Sequence, residues 1–315
     1  MLFRSKNKIK INYPLIGAAG YSGLMIWHGG ISGSAPIKIA EKGHFLEEKI
    51  GVISQAETIF STMNIFISIT LIIILPIIMY IIGKRSKSTI ININGEDQII
   101  HKEITGAEKL DHSHLLAYLF GGIILTYCFY KAIILPDYIS LKFITPNFIN
   151  LSLLGLCIIL HRKFFNFLTS INEAIKGASG ILIQFPLYFG IMGIMKHAGM
   201  IEIISDLFIR ISTEQTFPVF TFLSAGIVNI FVPSGGGQWA IQGPIIVESA
   251  LKIGVSIPKS IMSLAYGDQI TNMLQPFWAL PLLGITGLKA KEILPYTLIL
   301  MIIGSVIFIS GLLLF

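Results

Sequence analysis

Two glycine-rich, polar interruptions lie inside apolar stretches of this chain, and they restrict its fold more than any other feature. The first reads Trp27-His28-Gly29-Gly30-Ile31-Ser32-Gly33-Ser34-Ala35-Pro36. The second reads Val232-Pro233-Ser234-Gly235-Gly236-Gly237-Gln238-Trp239-Ala240-Ile241-Gln242-Gly243-Pro244. Backbone that leaves the helix exposes N–H and C=O groups that hydrocarbon cannot satisfy. It persists only where it is buried in protein or borders a polar cavity. Two such breaks in corresponding places of two half-repeats point to the substrate site of a secondary transporter.

Those stretches belong to a membrane. The 315 residues are 53% hydrophobic and 13% charged, against about 25% charged in soluble domains. Several apolar runs approach the roughly 20 residues that cross a bilayer as helix, and the short alternating segments of a β-barrel are not the pattern here. The sequence therefore predicts an all-α polytopic membrane protein. Its net charge of +6 does not indicate nucleic acid, because the lysines cluster between apolar runs, as in cytoplasmic loops. Cys128 and Cys157 sit within apolar segments, so neither a disulfide nor a metal site is expected. Arg4, Lys6, Lys8 and Lys10 precede a stretch broken by Gly17, Gly20 and Gly23. That reads as a cytoplasmic flank before a membrane segment rather than as a signal peptide.

Hydropathy divides the chain into segments at 14–39, broken at the first motif, and 58–83, where Pro76 predicts a kink. Others follow at 115–135 and 148–160, then an interfacial helix at 164–176 and a segment at 181–195. The next runs from 217 into the second motif and resumes over 241–251. Another, 260–285, is interrupted at 266–272, and 293–315 is a plain span. These form one membrane domain, 1–315. It comprises a first-repeat core (13–83), a cytoplasmic loop (84–114), connecting scaffold helices (115–176) and a second-repeat core (177–315). Positive excess at the N-terminus, 84–109 and 162–176 places all three inside. The two motifs then enter from opposite sides, as inverted copies. Lys289 and Lys291 fall outside on this count and weigh against it.

A small carboxylate needs partial positive charge without a large desolvation cost, and half-helix N-termini supply it. Gly29, Gly30, Gly33, Gly235, Gly236 and Gly237 allow close backbone approach. His28, Ser32, Ser34, Ser234, Gln238 and Gln242 offer polar groups, and Trp239 an apolar wall. Tight helix packing is the competing explanation for the glycines. Some 20 residues beyond each motif's proline comes an acidic residue in a polar cluster: Glu57 with Thr58, and Asp268 with Thr271 and Asn272. A carboxylate at membrane depth is costly and usually functional, so these five are candidates for a coupling ion, H⁺ or Na⁺. His28 could relay protons instead, since imidazole titrates near neutrality. The remaining histidines show no metal-ligand spacing.

One enzymatic reading competes. Gly30-Ile31-Ser32-Gly33 and Gly177-Ala178-Ser179-Gly180 both match the GxSG motif of rhomboid intramembrane proteases, which need a histidine base within reach of the serine. His197 lies on the same segment as Ser179, too far along one helix to meet it.

From Trp27 to Ser34 the chain resembles the short-chain fatty acid transporter family, the acetoacetate and butyrate uptake group. The resemblance continues through Gly43-His44-Phe45-Leu46-Glu47-Glu48, Glu57-Thr58-Ile59-Phe60-Ser61 and the second motif. It extends over Ala265-Tyr266-Gly267-Asp268-Gln269-Ile270-Thr271-Asn272 and on to Pro281. It implies a multi-pass protein of the bacterial inner membrane that takes up small monocarboxylates. It implies no organic cofactor, and leaves the coupling ion between H⁺ and Na⁺. The ion-transporter superfamily to which this family belongs uses inverted repeats with broken or re-entrant helices, often in homodimers. Family members normally carry further helices before the Trp-His-Gly-Gly motif, whereas this sequence starts just upstream of it. The resemblance thus also predicts either an inactive remnant, or half of a split transporter whose missing helices come from a separate chain.

Overall fold

The computed structural model describes residues 10–87, 106, 108–135 and 146–315. The basic flank through Lys8, His101 and most of the 84–114 loop lie outside the described residues. The described chain is built of helices. The principal ones are α1 (Tyr13–Tyr21), α2 (Ser34–Lys38), α3 (Thr62–Arg85), α4 (His114–Phe129), α5 (Pro146–His161), α6 (Phe164–His197), α7 (Met200–Arg210), α8 (Phe217–Phe231), α9 (Gly235–Ile253), α10 (Ile257–Thr271), α11 (Pro276–Thr286) and α12 (Ala290–Leu314). Among the described residues three spans are long and apolar enough to cross a membrane: Thr62–Arg85, His114–Ile134 and Ala290–Leu314. Their composition explains their surfaces. In α3 a narrow stripe of Met63, Asn64, Ile67, Leu71, Leu75 and Met79 is buried. Ile65, Phe66, Ile69, Ile72, Ile73 and Ile77 are left on the outside, where lipid replaces water as solvent.

The chain forms two compact units, one from residues 1–93 with 178–315, the other from 94–177. The smaller unit pairs α4 with α5 through small residues. A β-carbon on Gly121 would approach Ile159 Cγ1 to 2.6 Å, and one on Gly155 would approach Ile124 Cγ2 to 2.9 Å. Ala117, Ile158 and Phe167 form its buried apolar cluster.

The larger unit is organised around α10. A helix buried on all sides belongs at the centre of a bundle, and every residue of α10 from Ser260 to Ile270 is buried. Small residues make this enclosure possible, as they do between membrane helices generally. A β-carbon on Gly267 would lie 2.2 Å from Phe222 O, so α8 can pack directly against the backbone of α10. α9, α12, α2 and the 3-10 turn Ser22–Met25 surround the rest of it.

Three sequence-based boundaries are corrected. The interfacial helix at 164–176 and the segment at 181–195 are one helix, α6. Its Gly177 and Gly180 each cost a helix interior only about 1 kcal/mol, which does not end it. In the second motif only residues 232–234 leave the helix, and Gly235, Gly236 and Gly237 form the first turn of α9. The interruption expected at 266–272 falls later: α10 runs to Thr271, a 3-10 turn spans Asn272–Leu274, and Pro276 starts α11. Asp268 therefore projects from an intact helix. α3 also continues through Pro76.

Candidate functional site

The first glycine motif makes two successive turns. Gly30 N–H donates to Trp27 O at 3.2 Å and Gly33 N–H donates to Gly30 O at 2.9 Å. A β-carbon on Gly33 would lie 1.9 Å from His28 O, so no other residue fits there unchanged. Side chains from distant helices hold this turn. Gln269 Oε1 accepts from the N–H groups of His28 (2.8 Å) and Gly29 (3.2 Å). Asn64 Nδ2 donates to Gly29 O at 2.8 Å and to Ile59 O at 2.6 Å, and Asn64 Oδ1 accepts from the Tyr266 hydroxyl at 2.8 Å.

His28 and Asp268 meet at the centre, both fully buried. His28 Nε2 accepts from Ala35 N–H at 3.1 Å, at the start of α2. A nitrogen that accepts carries no proton, so the ring proton sits on Nδ1. Nδ1–H donates to Asp268 Oδ2 at 2.5 Å. Asp268 Oδ1 is buried with no partner among the described residues. Trp27 stacks on the imidazole, with ring centroids 4.6 Å apart, and Trp278 lies beyond it at 6.5 Å from Trp27.

The second glycine motif meets the first at this pair. A β-carbon on Gly235 would lie 2.7 Å from Trp27 Cη2 and 2.8 Å from His28 Cε1, and one on Gly236 would lie 3.8 Å from Ser34 Cβ. Ser234 caps α9, its Oγ accepting from Gly237 N–H at 3.2 Å. Gln238 N–H donates to Ser234 O at 2.7 Å. Among the described residues the N–H groups of Gly235 and Gly236 meet no acceptor, and they point from the positive end of the 19-residue helix α9.

The other candidates are placed elsewhere. Ser32 is exposed, and its hydroxyl donates to Trp27 O at 3.3 Å. It is thus not paired with His28, whose ring nitrogens are both engaged. Ser179 lies within α6, its side chain outside the described set. Gln238 and Gln242 face the helix packing: Gln238 Nε2 donates to Ala225 O and Gln242 Oε1, and Gln242 Nε2 to Ser205 Oγ and Ser224 Oγ. Trp239 is buried against Phe45 and Gly243. Glu57 is exposed and accepts from Ser54 N–H at 3.2 Å. Thr58 is buried, and its hydroxyl contacts Ser54 O at 3.5 Å. Thr271 and Asn272 belong to a separate cluster at the end of α10. There Asn229 Nδ2 donates to both side chains at 2.9 Å, Thr271 Oγ1 donates to Gly226 O, and Gln275 Nε2 donates to Asn229 O. The Tyr21 hydroxyl closes the same break through Asn272 O and Gln275 O.

Sequence reasoning passed over Gln269, Asn64, Tyr266, Asn229 and Gln275 as members of these networks. Asn64 and Asn229 did carry a signal. Each is an amide within an otherwise apolar helix, and a polar side chain at membrane depth needs partners. Among the described residues no group of three or more His, Cys, Asp or Glu side chains could hold a metal ion.

Comparison with known proteins identifies the family. No solved structure matches the chain significantly. A protein of Escherichia coli (strain K12), provisionally named a short-chain fatty acid transporter, is 37% identical over 96% of this chain and 70% of its own length. A protein of Haemophilus influenzae with the same provisional name is 37% identical over 96% of this chain and 69% of its own. The family described as Short chain fatty acid transporter matches residues 3–315. On the strength of that near-complete match, the chain belongs to the short chain fatty acid transporter family, a family of transporters and not of enzymes.

Proposed function

We propose that the protein is a secondary carrier that takes up short-chain monocarboxylates of the butyrate and acetoacetate class across the bacterial inner membrane, by cation symport and alternating access. One observation carries the reading: the glycine turn that opens α9 packs against the His28 ring, with Ser34 facing Gly236. The carboxylate is held by the free N–H groups of Gly235 and Gly236, as an anion is at a helix N-terminus. Ser34 and the turn at Gly29 and Gly30 close the other side, and Trp27 and Trp278 give the short acyl chain an apolar wall. Asp268 supplies the negative group that a coupling cation requires. The two glycine turns are inverted copies in this scheme, each leading into a helix that contains a proline, Pro36 in α2 and Pro244 at the middle of α9.

Reconstitution tests the reading. Proteoliposomes containing the protein should accumulate radiolabelled butyrate when a cation gradient is imposed, and should stop when the gradient is collapsed. Gly236→Leu should abolish butyrate binding while leaving the thermal transition near that of the wild type. Absence of gradient-driven uptake by the wild-type protein, or normal butyrate binding by the leucine variant, would overturn it.

A further inference from the structure

The His28–Asp268 pair has one open position, and its chemistry identifies the cation. We infer that the coupling ion is a proton and that it is carried on Oδ1 of Asp268. The inference rests on the transport reading above and names the ion and atom that the reading leaves unspecified.

Both imidazole nitrogens are engaged, Nε2 by Ala35 N–H and Nδ1 by Asp268 Oδ2. The ring therefore accepts no further proton without losing the Ala35 bond. Oδ1 is buried and unpartnered among the described residues. With Oδ1 bare the pair holds one negative charge, and with a proton on Oδ1 it holds none. The oxygens that hold the first turn each accept a hydrogen bond already, and the other unpartnered buried oxygens described in the larger unit, on Thr221, Asn229, Gln238 and Gln275, lie on α8, α9 and the break after α10. Gln269 Oε1 accepts two N–H groups, Asn64 Oδ1 accepts the Tyr266 hydroxyl, and Gly29 O accepts Asn64. A metal cation needs a shell of free oxygens, whereas a proton needs one acceptor atom.

Among the described residues, the elements packed on α10 bring no second charge that would substitute. Around α10 are packed α8, α9, α2, α12 and the turn Ser22–Met25. α8 and that turn carry no titratable side chain. The charged residues of the others are the exposed Glu248–Lys252 pair on α9, exposed Lys38 on α2, and exposed Lys291 and Glu292 on α12; α3, which reaches α10 through Asn64, carries as titratable residues only Tyr80, Lys84 and Arg85, all exposed. Tyr296, also on α12, accepts from Asn12. On α10 itself Lys259 lies in the first turn, and Tyr266 is bonded to Asn64.

Coupling then follows from Coulomb repulsion. A carboxylate at the Gly235–Gly236 turn sits one imidazole ring from Asp268. With Oδ1 ionised, the two anions disfavour each other by roughly ten- to a hundredfold in a weakly screened interior. A proton on Oδ1 removes that penalty, so anion and proton bind together, and by linkage each strengthens the other. The proton comes from water on the side of entry, forms an O–H bond at Oδ1, and leaves to water on the far side after the anion departs. No electrons are transferred.

Calorimetry in nanodiscs, in buffers of different ionisation enthalpy, reads the proton count directly. Wild-type protein should take up protons on binding butyrate, up to about one per anion, and its affinity should weaken by roughly ten- to a hundredfold in all from the acid to the alkaline side. Asp268→Asn, a mimic of the protonated carboxyl, should bind butyrate with no proton uptake and no pH dependence. In proteoliposomes it should exchange butyrate without accumulating it. Wild-type binding without proton uptake, or accumulation that follows a Na⁺ gradient and ignores a pH gradient, would overturn the proton assignment and leave the carrier reading standing. Undiminished proton uptake by Asp268→Asn would overturn the assignment to Oδ1. If that variant does not fold, the wild-type proton count and gradient dependence still decide whether the ion is a proton. A wild-type protein that binds no short-chain monocarboxylate would remove both.

Discussion

Gly33 and Gly236 look alike in the sequence, yet the structure gives them opposite tolerances. At Gly33 an added methyl would sit 1.9 Å from the carbonyl oxygen of His28, part of the backbone that must turn. At Gly236 the nearest atoms are 3.8 Å away, on Ser34. Gly33→Ala should therefore displace the turn that presents His28 and cost at least the roughly 1–3 kcal/mol of an overpacked site. Gly236→Ala should leave stability within about 0.5 kcal/mol of wild type. Thermal unfolding of the two purified variants in one detergent distinguishes them, and equal transition temperatures would contradict the packing described. Asn64 gives a second test at the same scale. It is buried, ties Gly29 O to the Tyr266 hydroxyl, and has no apolar equivalent. Asn64→Leu should destabilise by about 1–3 kcal/mol, because Gly29 O loses a buried donor. Measured stability unchanged by that substitution would show that the turn is held by other contacts.

At the scale of elements, α9 depends on its first turn. Three consecutive glycines are poor helix formers, each about 1 kcal/mol worse than alanine, and the Ser234 cap offsets part of that cost through Gly237 N–H. Ser234→Ala should cost about 1 kcal/mol, and Ser234→Asp should recover most of it, since both residues are good caps. Hydrogen exchange of the 235–238 amides should rise in the alanine variant, and an unchanged rate would mean the cap is dispensable. This turn also marks where the sequence stopped being informative. Long apolar helices such as α3 and α12 are legible from hydropathy alone, because lipid imposes their length. A glycine triplet reads as unwound backbone unless the serine before it is recognised as a cap. Likewise Gly177-Ala178-Ser179-Gly180 reads as a break, although α6 passes through it. The residues of the candidate site were visible as types and motifs, but their pairing was not. His28 and Asp268 are 240 positions apart, and nothing local specifies which polar side chain of α10 will face which turn. That choice is made by the small residues that let α8 lie against Gly267, and small residues advertise contact without naming the partner.

For the molecule as a whole, the proposed site requires that two glycine turns far apart in the chain share one place. Their meeting is set by helices rather than by the turns themselves. α10 supplies Gln269 and Asp268 to the first turn, and α3 supplies Asn64. α9 then brings Gly235 onto the His28 ring, so the turns are joined through the body of the larger unit. Such an arrangement can be locked covalently. The β-carbon position of residue 236 lies 3.8 Å from Ser34 Cβ, close to the mean separation of about 3.8 Å across a disulfide. In a background lacking Cys128, which is buried, and Cys157, which is exposed, the pair Ser34→Cys and Gly236→Cys should oxidise readily with copper phenanthroline. The bond should form within one polypeptide, so that a protease cut between the two positions leaves fragments joined until a reductant is added. Each single cysteine should yield no such link. In the proposed cycle the substrate passes between these turns, so oxidation should also suppress butyrate uptake, and reduction should restore it. Failure of the pair to cross-link in membranes would separate the two motifs and dissolve the site. Cross-linking with undiminished uptake would keep the fold and place the substrate path elsewhere.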